Sequence, residues 1–251
     1  MPRLTVVVPC YNEAERLRGD PLLAFVDGCD DARLVFVDDG STDATRAVLD
    51  VLAARRPERL AVLALPENHG KAEAVRQGLQ HAMSGGAEVV GFLDADLSTP
   101  PRELTPLLEA LGSPGVEVAI GARVALLGRD IQRSQVRHLL GRVFATAASL
   151  VLRAPVYDTQ CGAKLFRSSP ALAAALADPF LSRWAFDVEL LGRLLTGSGG
   201  AEPLPLAALV EVPLGTWHDV GGSKLNALAM ARTLKDLAVI AADLGARRRG
   251  R

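Results

Sequence analysis

Two aspartates, Asp94 and Asp96, stand two residues apart where the apolar run VVGFLDAD gives way to a turn. In extended backbone a spacing of two puts both side chains on one face, and neighbouring carboxylates repel unless a cation lies between them. Ligands that are all oxygen suit Mg²⁺ or Mn²⁺ shared with a diphosphate. The plainer reading is that such a pair caps the next helix. Here it follows a fully apolar run, and Pro100 and Pro101 separate it from that helix. Asp38 and Asp39 occupy the matching place at the end of LVFVDD, before Gly40 and Ser41. A carboxylate there can accept hydrogen bonds from a base edge or from ribose hydroxyls. Helix capping would explain Ser41 or Asp43 but not two consecutive aspartates. No Gly-X-Gly-X-X-Gly follows a strand and no Gly-X4-Gly-Lys-Ser/Thr occurs, which removes most of the support for dinucleotide and P-loop readings.

Positioning these groups requires a particular scaffold. Short continuous apolar runs at Leu4 to Pro9, Leu34 to Asp39, Leu60 to Leu65 and Val89 to Asp96 alternate with helical patterns after Ser41 and after Gly70. Runs without polar alternation suit strands covered on both faces. The βαβ alternation predicts an α/β fold with a mainly parallel sheet, whose ligands bind beyond the carboxyl ends of the strands. Later segments predict a helix near Arg102 to Leu111, strands at Val116 to Gly121 and Cys161 to Phe166, and helices at Leu139 to Leu152, Asp187 to Leu195 and Ser223 to Leu244. The Gly197 to Gly200 break reads as a loop. The expected organisation is one domain over residues 1–245 and a basic, disordered tail over 246–251, either solvated or set against an anionic membrane surface.

Composition narrows the classes. The chain has 251 residues, 49% of them apolar, and a net charge of −1; that balance gives no support to a general nucleic-acid binder. Three cysteines without metal-ligand spacing read as small hydrophobes in a reducing cytoplasm. No run reaches the length of a spanning helix, so an integral membrane protein is not expected. Leu139 to Leu152 fits either a core helix or an interfacial one.

The strings VVPCYNEAERL, VDDGSTDAT, ENHGKAEAVRQGL, FLDADLSTPP, IGAR, DTQCGAKLF and RWAFDVELL resemble the inverting glycosyltransferases of family 2, with the GT-A fold, that include the polyprenyl-phosphate sugar synthases. The later strings are most similar to the dolichyl-phosphate glucosyltransferase branch. This resemblance implies a hexosyltransferase that moves sugar from UDP-glucose or GDP-mannose to polyprenyl phosphate, with Mg²⁺ or Mn²⁺. It implies that Pro9, Tyr11, Asn12, Glu13, Asp38, Asp39 and Lys71 bind the donor, that Asp94 lies near the ribose and diphosphate, and that Asp96 ligates the metal with Asp94. Arg123 would meet the acceptor phosphate or the donor diphosphate. Arg133 or Arg137 would meet the acceptor phosphate, with Gln160 and Lys164 beside it, in a cytoplasmic protein that touches the inner face of the cell membrane peripherally.

The residues leave other readings open. Lys71 could be a solvated first-turn lysine, Trp184 a core residue, and His69, His81 and His138 surface or rim groups. Trp217 and His218 could contact ligand. Asp187 and Glu189, two apart on a helix, cannot face the same way, so one of them is structural. A transferase to a soluble hydroxyl acceptor would need a general base, for which Asp187 or Glu189 is the candidate. A nucleotidyltransferase or a silent nucleotide-binding module is the remaining class.

Overall fold

The computed structural model describes residues 2–132, 135–219 and 227–249. Among them the chain forms strands β1 (Leu4–Cys10), β2 (Ala32–Asp39), β3 (Leu60–Leu65), β4 (Val89–Leu93), β5 (Val118–Ala122), β6 (Asp130–Gln132), β7 (Ala163–Arg167), β8 (Leu209–Pro213) and β9 (Thr216–His218). The α-helices are α1 (Gly19–Asp27), α2 (Thr45–Ala54), α3 (Lys71–Ser84), α4 (Leu104–Leu111), α5 (Gln135–Leu152), α6 (Pro170–Leu176), α7 (Phe186–Thr196) and α8 (Ala227–Arg249). A sheet of order β3-β2-β1-β4-β7-β5-β8 runs through the middle, and β6 and β9 pair in a separate two-stranded sheet.

The pleat sorts the sheet's side chains into two cores. Val7, Val35, Val37, Val90, Phe92 and Phe166 face α3, α5, α6, α7 and α8. Val6, Val8, Leu34, Phe36, Leu93 and Leu165 face α1, α2 and α4. Both faces are therefore covered, as the unbroken apolar runs require. Gly78 lets α3 approach closely, since a Cβ there would press on Val7 and Val37.

Every pairing in the large sheet is parallel except those of β7, which runs antiparallel to both β4 and β5. The reversal has a functional consequence: the start of β7 lies at the same edge as the carboxyl ends of β1, β2, β4 and β5. Composition gave no sign of it, and α1, α6, β8 and the β6/β9 pair also lie outside the sequence expectations. The β4 strand stops at Leu93, so Asp94 and Asp96 sit in the following turn and not on a strand face.

Two further expectations need correction. α8 continues through Arg249, so residues 246–249 are helical where a disordered tail was expected. Arg247 Nε donates to Asp243 Oδ2 at 2.6 Å and Arg247 Nη1 to Ser198 Oγ at 2.8 Å, while Arg248 Nη2 donates to the Val151 and Leu152 carbonyls. Cations in a last turn suit the helix dipole, and these ties give the basic run partners within the protein. Among the described residues no helix is long and apolar enough to cross a membrane.

Candidate active site

A cleft of about 700 Å³ opens along the carboxyl edge of the sheet. Pro9, Tyr11, Glu13, Asp39, Lys71, Asp94, Asp96, Arg123, Gln160 and Asp187 all line it. Residues from seven segments of the sequence thus converge on one space. The loop after β1 is built against the loop after β2. Asn12, at a left-handed φ of 53°, accepts the Thr42 N–H on its Oδ1 at 2.9 Å, and its own N–H donates to Ser41 Oγ at 3.1 Å. The Glu13 N–H donates to Thr45 Oγ1 at 2.7 Å. Asn12 therefore shapes the loop that carries Tyr11 and Glu13 to the cleft.

The two aspartates that end β2 divide their work. Asp38 Oδ1 accepts the Ser41 N–H at 3.1 Å and lies behind the cleft wall. Asp39 reaches the cleft, and its carboxylate takes the N–H groups of His69 at 2.9 Å and Gly70 at 2.8 Å. It pins the loop that launches α3, where Gly70 adopts a φ of 95°. That pinning delivers Lys71, the first residue of α3, to the centre of the site.

Lys71 Nζ lies 2.5 Å from Asp94 Oδ1. Burial alone would pull this ammonium down, but Asp94, and then Asp187, outweigh it and hold it above the ordinary lysine value. Asp94 is fixed from behind as well: its N–H donates to the Gly162 carbonyl at 3.0 Å, and a Cβ on Gly162 would overlap its carboxylate. Beneath lies a second pair. Lys164 Nζ, with the residue 0% exposed, donates to Asp187 Oδ1 at 2.5 Å and to the Cys161 carbonyl at 2.6 Å. Burial raises the Asp187 carboxyl, against the pull of Lys164 and Lys71. Lys164 is thus sealed under the floor, as the partner of Asp187. Glu189 faces away, accepting from Arg193 at 2.7 Å and from the Leu181 N–H at 2.8 Å, and is the structural member of its pair.

At the far end Arg123 is gripped by Asp158, Nε to Oδ2 and Nη2 to Oδ1 both at 2.7 Å, with the Arg123 N–H also on Oδ2. Burial opposes charge on both groups, yet their attraction prevails: Arg123 stays above its ordinary value and Asp158 below the usual carboxylate range. Arg123 also lies 5.3 Å from the centre of the Trp217 ring, so Trp217 contributes to the cleft. His218 instead contacts Asp130 across β9 and β6, at 2.6 Å. Arg133 and the side chain of Arg137 lie outside the described residues, as does the side chain of His138 and the segment 220–226.

Trp184 lines the mouth with 73% of its surface exposed, where sequence reasoning favoured the core; a tryptophan two residues before a helix has no periodicity to reveal its direction. Arg16, Asn68, Ser98 and Arg183 also line the cleft. Only their nearness in sequence to Glu13, Lys71, Asp96 and Asp187 hinted at that.

The residues present fit a divalent cation. Among the described residues no group of three His, Cys, Asp or Glu side chains could hold a metal alone. Asp96 lines the cleft and accepts the Ser98 N–H at 2.9 Å, and Glu13 Oε2 is buried without a hydrogen-bond partner. A sparse set of hard oxygens suits Mg²⁺ or Mn²⁺, which keep water or take substrate phosphate as further ligands. Asp94 is already engaged by Lys71, so Asp96 is the better placed of the two.

The glycosyl transferase family 2 profile matches residues 5–172. Dolichyl-phosphate beta-glucosyltransferase of Drosophila melanogaster is 36% identical over 238 residues, covering 89% of this chain and 69% of that protein. Polyprenol monophosphomannose synthase of Mycolicibacterium smegmatis is 29% identical, covering 89% and 81%. Among solved structures, glucosyl-3-phosphoglycerate synthase from Mycobacterium tuberculosis, in complex with Mn²⁺, UDP-glucose and phosphoglyceric acid, superposes with a TM-score of 0.68 over 96% of this chain and 80% of that one. At 19% identity this likeness establishes the GT-A fold.

Proposed function

The chain belongs to glycosyl transferase family 2, and from that premise we propose that it moves a hexose from UDP-glucose or GDP-mannose to a polyprenyl phosphate, with inversion at the anomeric carbon. It is a glycosyltransferase with the α/β GT-A fold. The observation that carries the finer reading is the polarity of the cleft: carboxylates and Lys71 at the β1/β2/β4 end, and the clamped Arg123 with Gln160 at the other.

In this reading the loop of Pro9, Tyr11 and Glu13 with Asp39 walls the base and ribose, and Asp94 with Lys71 faces the diphosphate. A divalent ion at Asp96 supplies positive charge against the charge that grows on the leaving diphosphate. Lys71 adds a fixed cation on the same side. A phosphate monoester is largely deprotonated near neutral pH, having a second pKa of about 6, so the attacking oxygen needs orientation more than a base. Arg123 is suited to orient it, because Asp158 holds its fork rigid; Gln160 lines the same cleft, and the resemblance adds Arg133 or Arg137 of the basic run to the groups that meet the acceptor phosphate.

The relatives' names, dolichyl-phosphate beta-glucosyltransferase and polyprenol monophosphomannose synthase, favour a lipid phosphate as acceptor. So does α5, which exposes Leu139 (67%), Val143 (53%) and Leu150 (74%) along one side. This helix could lie against the acyl chains while the chain works in the cytoplasm, peripheral to the inner face of the cell membrane. A soluble hydroxyl acceptor is the competing reading. It would need Asp187 as base, and the Lys164 bond to Oδ1 already occupies one of that carboxylate's oxygens.

The test incubates the protein with Mg²⁺ or Mn²⁺, radiolabelled UDP-glucose or GDP-mannose, and either polyprenyl phosphate or aqueous acceptors. Label is expected in the organic phase after partition. Label transferred only to water-soluble products overturns the lipid reading.

A further inference from the structure

The Arg123–Asp158 pair is not self-supporting, and what supports it lies outside every site residue assigned above. Asp158 sits in a short turn between α5 and β7. From one side Glu211 of β8 receives both N–H groups of that turn: Oε2 accepts from Tyr157 and Oε1 from Asp158, each at 2.8 Å. From the other side α5 holds the carbonyls. Arg142 Nη1 donates to the Tyr157 carbonyl at 2.8 Å, and Ser149 Oγ donates to that of Val156 at 2.8 Å. The Arg142 guanidinium also stacks on the Tyr157 ring, 3.9 Å from its centre. Arg123, Arg142, Tyr157, Asp158 and Gln160 together line a small pocket beside the cleft.

We propose that Arg142 and Glu211 are positioning residues that set the placement of Arg123 in the cleft, acting through the Tyr157–Asp158 turn. The proposal rests on the reading of Arg123 as the group that orients the acceptor phosphate. A bidentate arginine is useful only while its fork is held in one plane, and the turn's donors and acceptors are taken up by a strand on one side and a helix on the other. The Tyr157 N–H and carbonyl and the Asp158 N–H thus all have side-chain partners, which leaves the Asp158 carboxylate free for Arg123. Because α5 is also the helix with the exposed apolar side, Arg142 ties Arg123 to the element that would meet the acceptor's tail.

The test compares Arg142→Ala, Arg142→Lys and Glu211→Gln in the wild type and in an Asp158→Asn background. Arg142→Ala and Glu211→Gln are expected to lower kcat/KM for polyprenyl phosphate about tenfold or more, since small misplacements of an orienting group are costly, with the nucleotide-sugar KM unchanged. Arg142→Lys, which keeps a donor for the carbonyl and a cation for the ring, recovers most of that loss. In Asp158→Asn the Arg142→Ala change adds little, because the two act in series. A second readout needs no acceptor: the slowly exchanging Arg123 Nε–H resonance, assigned by its absence in Arg123→Lys, broadens or disappears in Arg142→Ala. A loss that is fully additive with Asp158→Asn, an equal rise in donor KM, or an unchanged Arg123 resonance overturns the proposal. If the wild type transfers nothing to polyprenyl phosphate, the functional reading falls, while the Arg123 resonance still decides the clamp.

Discussion

Gly162→Ala tests whether the placement of one carboxylate governs turnover. Gly162 immediately precedes the antiparallel strand β7, and its Cα faces Asp94. A Cβ built there stands 2.8 Å from Asp94 Oδ1 and closer still to Cγ and Oδ2, whereas ordinary carbon–oxygen contacts lie near 3.3 Å or beyond. Either the carboxylate retreats by about half an ångström or more, or the β4–β7 seam opens. Retreat would disturb the 2.5 Å pairing with Lys71. Overpacking of this kind costs about 1–3 kcal/mol of stability, and a shift of about 1 Å in a substrate-positioning group costs on the order of 100-fold in rate. The assay is steady-state kcat/KM for the nucleotide sugar beside urea unfolding. Gly78→Ala is the control: it overpacks α3 against Val7 and Val37, away from the carboxylates. Gly162→Ala should lose on the order of 100-fold in kcat/KM, and Gly78→Ala should lose stability with little loss of rate. Equal rates for the two variants at equal stability loss would refute the argument that Asp94's position matters.

Three further outcomes follow from the site. Lys164→Met strands the buried Asp187 carboxylate and should cost about 3–5 kcal/mol in denaturant unfolding, most of it restored by adding Asp187→Leu; a single-variant loss below about 1 kcal/mol would show that Lys71 alone neutralises Asp187. Asp158 has its folded-state pKa below its unfolded one, so its stabilising contribution is present above the unfolded value, near pH 4, and is lost as pH falls through the depressed one. Wild type should therefore exceed Asp158→Asn in stability at pH 6, with the gap closing as pH falls below about 4; a gap independent of pH would deny the ion pair. Chelation with EDTA should abolish transfer and Mg²⁺ or Mn²⁺ should restore it, and Asp96→Ala should be inactive with an unchanged thermal melt; full activity of that variant would remove Asp96 from the metal role.

The parallel half of the fold was legible because its strands are buried on both faces, and burial leaves unbroken apolar runs such as LVFVDD that local reading can find. The tips of those runs carried Asp39, Asp94 and Asp96, so that end of the cleft was legible too. The reversal of β7 was not, since AKLFR carries no mark of strand direction; that reversal alone brings Gln160 and Gly162 to the cleft. Lys164 illustrates the limit in the other direction. A motif places it near the site, but only the depth of β7 beneath α7 shows that it serves Asp187 from below. Asn12 and Asp38 show a related limit: one oxygen of each accepts a bond from the loop after β2, a use the side-chain type does not distinguish from ligand binding.

The charge arrangement explains why so many ionisable groups can share one cleft floor. Lys71 answers Asp94 and Lys164 answers Asp187, each at 2.5 Å, so four of the groups at the centre are internally balanced without any ligand. Asp96, Glu13 and Asp39 are left as cleft carboxylates whose charge is not cancelled by a lysine; Asp39 takes two backbone N–H groups, and Glu13 is held partly by Arg16 at 2.7 Å. Burial nonetheless pushes the Glu13 carboxyl up, and its Oε2 lacks a hydrogen-bond partner. Partly buried carboxylates of this kind are stabilised by anything that brings positive charge to Asp96, and destabilised by a bare diphosphate. The donor and its divalent ion should therefore bind as a unit, and the affinity for UDP or GDP alone should rise steeply with added Mg²⁺ or Mn²⁺ in a titration, whereas an affinity independent of the ion would mean that Lys71 and its neighbours suffice to hold the diphosphate.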